Sequence, residues 1–200
     1  MSGTAERSLE QTSDGKWKLS FKASMMIASL SEESTLTVDK DTLLPQSYHF
    51  ERGGLGKARK ADLDFDWNTK MVTGTDRGDP VKLPLNRGMV DKSTYQLALQ
   101  HDVAAGKKTM SYQVVDGGEV DTYDFRVLGS EKVDTKAGQI DAIKVERVRD
   151  PTQNKRITVL WFAKDWDYLL VRLQQVETDG KEYNIMLLDG KVNGKAVKGS

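Results

Sequence analysis

Residues 16–23 read Lys-Trp-Lys-Leu-Ser-Phe-Lys-Ala, with an apolar side chain at every second position. Successive side chains of a β-strand point to opposite faces, so this alternation is typical of a strand with one face in the core and the other in water. Residues 62–67 repeat the pattern as Asp-Leu-Asp-Phe-Asp-Trp. Turn residues separate similar runs along most of the chain, which predicts an antiparallel, mainly β protein.

The same alternation predicts the positions of the strands. Residues 16–30 are expected to form one long or two short strands; the other predicted strands are 34–38, 47–52, 59–67, 70–76, 109–115, 119–128, 139–149, 155–163, 168–178 and 181–188. Hairpin turns are predicted at Asn68-Thr69, Asp116-Gly117-Gly118 and Asp179-Gly180, because such residues favour tight turns. The run Met25-Met26-Ile27-Ala28 interrupts the alternation and predicts a segment buried on both sides.

One segment favours a helix. Residues 89–103 contain neither glycine nor proline, Asp91 or Ser93 can cap the beginning, and Gly106 can end the segment. The apolar side chains of this segment are spread around much of the helix, and a sheet of about ten strands tends to curl. The predicted fold is therefore one long meandering antiparallel sheet, curled into an incomplete barrel or spiral around a single main helix, with residues 1–200 in one domain.

Composition excludes several classes of function. The chain has 30 Lys and Arg against 30 Asp and Glu, and this balance argues against nucleic-acid binding. It contains no cysteine, so disulfides, thiolate nucleophiles and zinc fingers are excluded. No run approaches the roughly 20 apolar residues of a transmembrane helix.

The sequence predicts no catalytic residue, metal site or cofactor. His49 and His101 are its only histidines, and no Gly-x-Ser-x-Gly motif is present. The alternating residues Asp62, Asp64 and Asp66 lack the glycine of a calcium loop, so they are interpreted as solvated strand charges. Carboxylates such as Glu32-Glu33 could serve acid–base catalysis only if the fold brought them close to another carboxylate across a cleft.

Two binding sites are predicted instead. An apolar pocket beside the helix, near Tyr95 and Leu99, would be suited to a lipid or other apolar ligand. Its predicted lining residues are Met25, Met26, Tyr95, Leu97, Leu99 and Trp161. A glycine-rich segment could hold an anion through backbone N–H groups and its cations, with a solvated hairpin loop as the simpler alternative. Its predicted anion-binding residues are Arg52, Lys57, Arg59 and Lys60.

Four segments resemble those of the bacterial domain-of-unknown-function family 3108, across nearly the whole chain. They are Leu44 to Tyr48, Asp64 to Trp67, Asp91 to Leu97 and Leu160 to Ala163. The resemblance implies an exported, mostly periplasmic protein with a β-rich fold built on one long meandering sheet, and it supplies no established catalytic residues. Family members usually begin with a signal peptide and a leading strand before a Gly-x-Ala segment. That segment here is Gly3-Thr4-Ala5, so a preceding signal peptide and strand are expected in the natural precursor.

The leading functional hypothesis is a non-enzymatic periplasmic envelope protein that binds a lipid, another apolar ligand or a protein partner. One alternative is a carboxylate-dependent hydrolase of envelope glycans, which requires two close carboxylates in a polar cleft. Another is a structural scaffold without a sizeable pocket.

Overall fold

The computed structural model describes residues 3–54, 58–150, 152 and 154–200. The protein is mainly β with one helix among the described residues, as predicted, and its sheets are not closed into a barrel. The first sheet contains β1 (Gly3–Gln11), β2 (Trp17–Met25), β3 (Ala28–Asp39), β4 (Thr42–Gly54), β5 (Arg59–Asp66), β6 (Met71–Asp76) and β7 (Asp79–Pro84). The second contains β8 (Met89–Asp91), β9 (Thr109–Asp116), β10 (Glu119–Thr135), β11 (Gly138–Val148), β12 (Ile157–Ala163), β13 (Leu169–Val176) and β14 (Glu182–Met186). The helix is α1 (Thr94–Ala104), and β15 (Lys191–Val192) pairs with β16 (Lys195–Ala196).

The described strands form two meanders rather than the single sheet that the sequence predicted. Each seven-stranded sheet follows chain order, from β1 to β7 and from β8 to β14. The division follows β7, which carries Pro80 and Pro84. Proline has no N–H to donate to a further strand, so it is confined to sheet edges. The three expected hairpin turns are present between β5 and β6, β9 and β10, and β13 and β14.

The helix is shorter than predicted because its expected first turn is a strand. Residues Met89–Asp91 form β8, which pairs in parallel with β9. Asp91 nevertheless caps the helix, as expected, and Gly106 follows its end with a φ of 81°. The enclosure of α1 by a curled sheet stays a prediction.

The chain divides into two compact units, and the prediction of one domain is not tested by this division. The first unit contains Met1–Leu97 and Tyr112–Thr122, and the second contains Ala98–Ser111 and Tyr123–Ser200. In the first unit, cross-strand neighbours such as Leu63 and Tyr48 form a core on one face of the first sheet, called the inward face below. In the second unit the core is centred on β11, β12 and β13, and includes Trp161.

Truncating Leu99 is expected to lower the free energy of unfolding by about 2 to 5 kcal/mol, because its side chain is completely buried. Leu97, two residues earlier on the same helix, is only half-buried. Leu97→Ala is therefore the matched control and should cost clearly less than Leu99→Ala. Urea denaturation of both variants measures the difference, and equal losses would contradict this assignment of the buried helix face.

Candidate functional site

The six predicted apolar-pocket residues are divided between the two compact units, and their binding role stays a prediction. Met25 and Met26 were expected to be buried, but Met26 is 93% exposed and Met25 is 38% exposed at the end of a hairpin. The reason is that Met26 and Ile27 form the turn between β2 and β3 rather than the middle of a strand. Tyr95 and Leu97 are half-buried in the first unit, whereas Leu99 is fully buried in the second.

Trp161 belongs to the core of the second unit, where polar groups hold it in place. Its indole N–H donates to Glu131 Oε1 at 2.6 Å. The Lys144 ammonium and the Arg172 guanidinium lie 5.3 and 4.5 Å from the centre of its ring. The hydrogen bond from the indole keeps the pKa of Glu131 below its ordinary value, with further help from Lys144. These contacts and its burial are typical of a tryptophan with a structural role.

Two cations of the predicted anion site, Arg59 and Lys60, pair with carboxylates. Arg59 donates two hydrogen bonds of 3.0 Å to Asp76 and lies 3.5 Å from Asp116. Lys60 forms an ion pair with Asp62 at 3.2 Å. Arg52 lies opposite Arg59 in the β4–β5 register, and Lys57 lies outside the described residues. Anion binding by this segment stays a prediction. The carboxylates argue against it, because they already pair with Arg59 and Lys60.

The two histidines have surroundings that fit structural roles. His49 Nδ1 contacts Asp62 Oδ1 across the β4–β5 pair, and His101 lies in the last turn of α1, where a cation is favoured. Asp64 and Asp66 are exposed on the side of β5 opposite the buried Leu63 and Phe65, as the alternation predicted.

The sequence did not indicate a buried polar cluster in the first unit. Glu32 and Ser34 lie on β3 in register with Phe50 and Tyr48, so all four side chains belong to the inward face. The Tyr48 hydroxyl donates to Glu32 Oε1 at 2.6 Å. Ser34 donates to Asp91 Oδ1 at 2.7 Å, which ties β3 to the beginning of α1.

Asp91 is fully engaged by donors from the protein itself. Its Oδ1 also accepts hydrogen bonds from the backbone N–H groups of Ser93 and Thr94, at 2.8 and 2.7 Å. Its Oδ2 accepts one from the Thr94 hydroxyl at 2.8 Å. An aspartate that satisfies the free N–H groups of a helix in this way is a cap. Asp91 thus anchors the beginning of α1 to the first sheet.

Burial shifts the titration of this cluster. It raises the pKa of Glu32, and the negative charge of Asp91 raises it further. Burial also raises the pKa of Asp91 and, together with the charge of Glu32, that of Tyr48. Arg7 on β1 faces the same cluster; burial lowers the pKa of its guanidinium, and Tyr95 and Glu32 oppose that effect.

The free energy of unfolding of Glu32→Gln, compared with that of the wild type, is expected to increase as the pH rises above about 4.5, the ordinary pKa of glutamate. The folded state holds the Glu32 proton more tightly than the unfolded state, so wild-type stability falls between the unfolded and the folded pKa of this group. The titration of one group can change the free energy of unfolding by at most about 1.4 kcal/mol per pH unit.

Denaturation of wild type and variant between pH 4 and 8 measures this effect. Glu33→Gln is the matched control, because Glu33 lies on the opposite face of β3, with 41% of its side chain exposed, and pairs with Lys18 at 2.8 Å. A stability difference between Glu32→Gln and the wild type that stays constant over this pH range would contradict the expected titration.

Two clefts lie among the described residues of the first unit, and both are lined largely by polar side chains. One, of about 480 Å³, lies beside Arg59, Asp76 and Asp116. The other, of about 560 Å³, lies beside Asp64, Asp66 and Trp67. None of the six predicted apolar-site residues lines either cleft. Among the described residues, no three His, Cys, Asp or Glu side chains form a group that could hold a metal ion.

One exposed apolar feature of the first unit is the Met hairpin tip, formed by Met25, Met26 and Ile27. These three consecutive side chains are 38%, 93% and 41% exposed. Glycines flank the tip on both sides, because Gly3 on β1 pairs with Met25 and Gly54 on β4 pairs with Ala28. A Cβ on Gly54 would collide with the carbonyl oxygen of Ile27, so β4 passes close against the turn.

No helix among the described residues has the length and hydropathy needed to cross a membrane. No curated protein matches the chain. The fold resembles the crystal structure of a β-barrel-like protein of domain of unknown function DUF1849 from Brucella abortus, with a TM-score of 0.57 and 11% sequence identity. The alignment covers 92% of this chain and 86% of that one, and at this identity it shows the fold alone.

The sequence itself identifies the family. The model of the family described as protein of unknown function (DUF3108) matches residues 2–187, which is nearly the whole chain and includes the four segments that carry the resemblance. The chain therefore belongs to the DUF3108 family.

Proposed function

We propose that this protein is a non-enzymatic periplasmic protein of the cell envelope that binds a lipid surface through the Met hairpin tip. The observation that carries the proposal is the exposure of Met25, Met26 and Ile27 as one continuous apolar run. Single exposed apolar residues are ordinary, whereas a contiguous apolar patch is typical of an interaction site.

The backbone of the turn does not require apolar side chains. Neither Met26 nor Ile27 has a positive φ, so polar residues could adopt the same turn. The flanking Gly3 and Gly54 have no side chains that would shield the tip. Transfer of one such side chain from water to the acyl boundary of a bilayer would contribute about 1.5 to 3 kcal/mol.

Two pairs of opposite charges lie on strands of the first sheet, which carries the tip, and they predict how binding depends on salt. Lys22 on β2 lies opposite Glu6 on β1, and Lys60 on β5 lies opposite Glu51 on β4. Binding is therefore expected to depend mainly on apolar burial and only weakly on ionic strength. A tip of this size supports reversible contact with one leaflet.

The hydrolase of envelope glycans remains a second candidate, because the two carboxyl groups of Glu32 and Asp91 belong to one polar cluster, in which the charge of Asp91 raises the pKa of Glu32. Asp91 is occupied by four hydrogen bonds at the helix start, and Glu32 is bound by Tyr48. This engagement supports a structural role for both carboxylates. Release of reducing sugar from isolated envelope glycan by wild type, lost in Glu32→Gln, would favour the enzyme instead.

Vesicle binding tests the proposed function directly. The chain has no cysteine, so Met26→Cys can be labelled at one site with an environment-sensitive nitrobenzoxadiazole dye. The labelled tip is expected to shift its emission to the blue with vesicles of phosphatidylethanolamine and phosphatidylglycerol. Val38→Cys is the matched control, since Val38 is 51% exposed at the opposite end of β3.

Flotation of unlabelled proteins completes the test. Met26→Ser should reduce the vesicle-bound fraction several-fold, and Val38→Ser should leave it unchanged. No vesicle binding by the wild type, or equal dye shifts at both positions, would refute lipid binding by the tip. Fractionation of cells that express the natural gene tests the periplasmic location separately.

A further inference from the structure

The two seven-stranded sheets end in four edge strands, β1, β7, β8 and β14. An edge strand presents unpaired backbone N–H and C=O groups, and proteins usually protect such edges with prolines, charges or short length. The edges of these two sheets differ sharply in that protection.

Three of the edges carry protective features. β7 contains Pro80, Lys82 and Pro84 within six residues. β1 carries charges along its length, at Glu6, Arg7 and Glu10. β8 has only three residues, all of them buried.

The fourth edge, β14, has none of these features. All five of its residues are exposed, and it contains neither proline nor glycine. Glu182 is its one charged residue, whereas Tyr183, Ile185 and Met186 are apolar and 37% to 40% exposed. Within the described part of the chain, its backbone pairing is with β13 alone.

The sequence of β14 is complementary to itself. If two copies pair in antiparallel orientation about Asn184, Tyr183 of each copy faces Ile185 of the other. Pairs of an aromatic and a β-branched residue are favourable across antiparallel strands. In the same register Glu182 faces Met186, so no like charges oppose each other. For β1, by contrast, pairing about its central residue would place Arg7 opposite Arg7.

We infer that β14 joins two copies of this chain into a symmetric dimer by antiparallel edge pairing centred on Asn184. The two second sheets then form one continuous sheet across the two-fold axis. The interface is isologous, as in most homodimers. Because one strand edge buries limited area, the dimer is expected to dissociate on dilution.

Sedimentation velocity of the full chain over a hundred-fold range of concentration tests the inference. The wild type should shift from monomer to dimer as the concentration rises, and Ile185→Lys should remain monomeric throughout. Ile157→Lys is the matched control: Ile157 is 48% exposed but lies on β12, between two other strands. It should dimerise like the wild type.

Cross-linking tests the register. Asn184→Cys places one thiol on each side of the two-fold axis, and mild oxidation should convert most of the protein into a covalent dimer. Thr178→Cys, at the exposed turn before β14, should give far less. A wild type that is monomeric at all concentrations would overturn the inference. The β14 edge would then be a candidate binding site for an extended segment of another protein. A dimer that persists in Ile185→Lys would equally overturn the inference.

Discussion

Asp91→Ala is expected to lower the free energy of unfolding by about 3 kcal/mol or more, combining the loss of a helix cap with buried donors left unpaired. The substitution removes the acceptor of four hydrogen bonds, from Ser34, Ser93 and Thr94. Because Ser34 belongs to β3, the same change also detaches the helix start from the first sheet. Chemical denaturation followed by circular dichroism measures the loss.

Asp91→Asn separates the charge of Asp91 from its hydrogen bonds. The amide retains one oxygen that can accept from the backbone of Ser93 and Thr94, but it cannot reproduce all four bonds. The asparagine variant should therefore lie between wild type and alanine. A loss below about 1 kcal/mol in Asp91→Ala would show that the cluster contributes little beyond an ordinary cap.

Gly74→Ala is expected to be at least as damaging, with a loss of about 3 kcal/mol or more from strain and overpacking. Gly74 lies on β6 with a φ of 146°, a conformation that residues with a Cβ rarely adopt. An added Cβ would collide with the carbonyl oxygen of Asp62 and lie 3.0 Å from Leu63 Cα on β5. These neighbours are backbone atoms of a paired strand, so they cannot move aside like the end of a side chain.

Gly78→Ala is the control for Gly74→Ala. Gly78 also has a positive φ, of 90°, but no atom lies within 4 Å of its added Cβ. This variant should lose only about 1 kcal/mol, the cost of the backbone conformation. Similar melting temperatures for the two variants would show that the β5–β6 contact can relax.

Local alternation was sufficient to predict the strands that have one buried face. Leu63 and Phe65 on β5 are buried while Asp64 and Asp66 are exposed, as their spacing indicated. The same reasoning missed β1, because an edge strand such as Gly3–Gln11 is largely exposed and has little apolar periodicity. It also placed Met25 and Met26 inside, since four apolar residues in succession are ordinarily buried rather than placed at a turn.

The polar cluster could not be predicted for a different reason. Glu32 and Asp91 are far apart in the chain, and their association depends on the register of β3 with β4 and on where α1 begins. A local pattern cannot supply a register between distant segments. The one local signal was the capping potential of Asp91, which identified the helix start but gave no indication of the serine on β3 that also binds it.

The parallel pairing of β8 with β9 has a consequence for the order of folding. Each meander can form by adding one hairpin to the next, with strands that are neighbours in sequence and short loops to close. Parallel neighbours cannot be joined by a tight turn, so β8 and β9 can meet only after the segment containing α1 has crossed between them. The docking of this three-residue strand is therefore expected to be a late step in folding, after the hairpins on either side have formed.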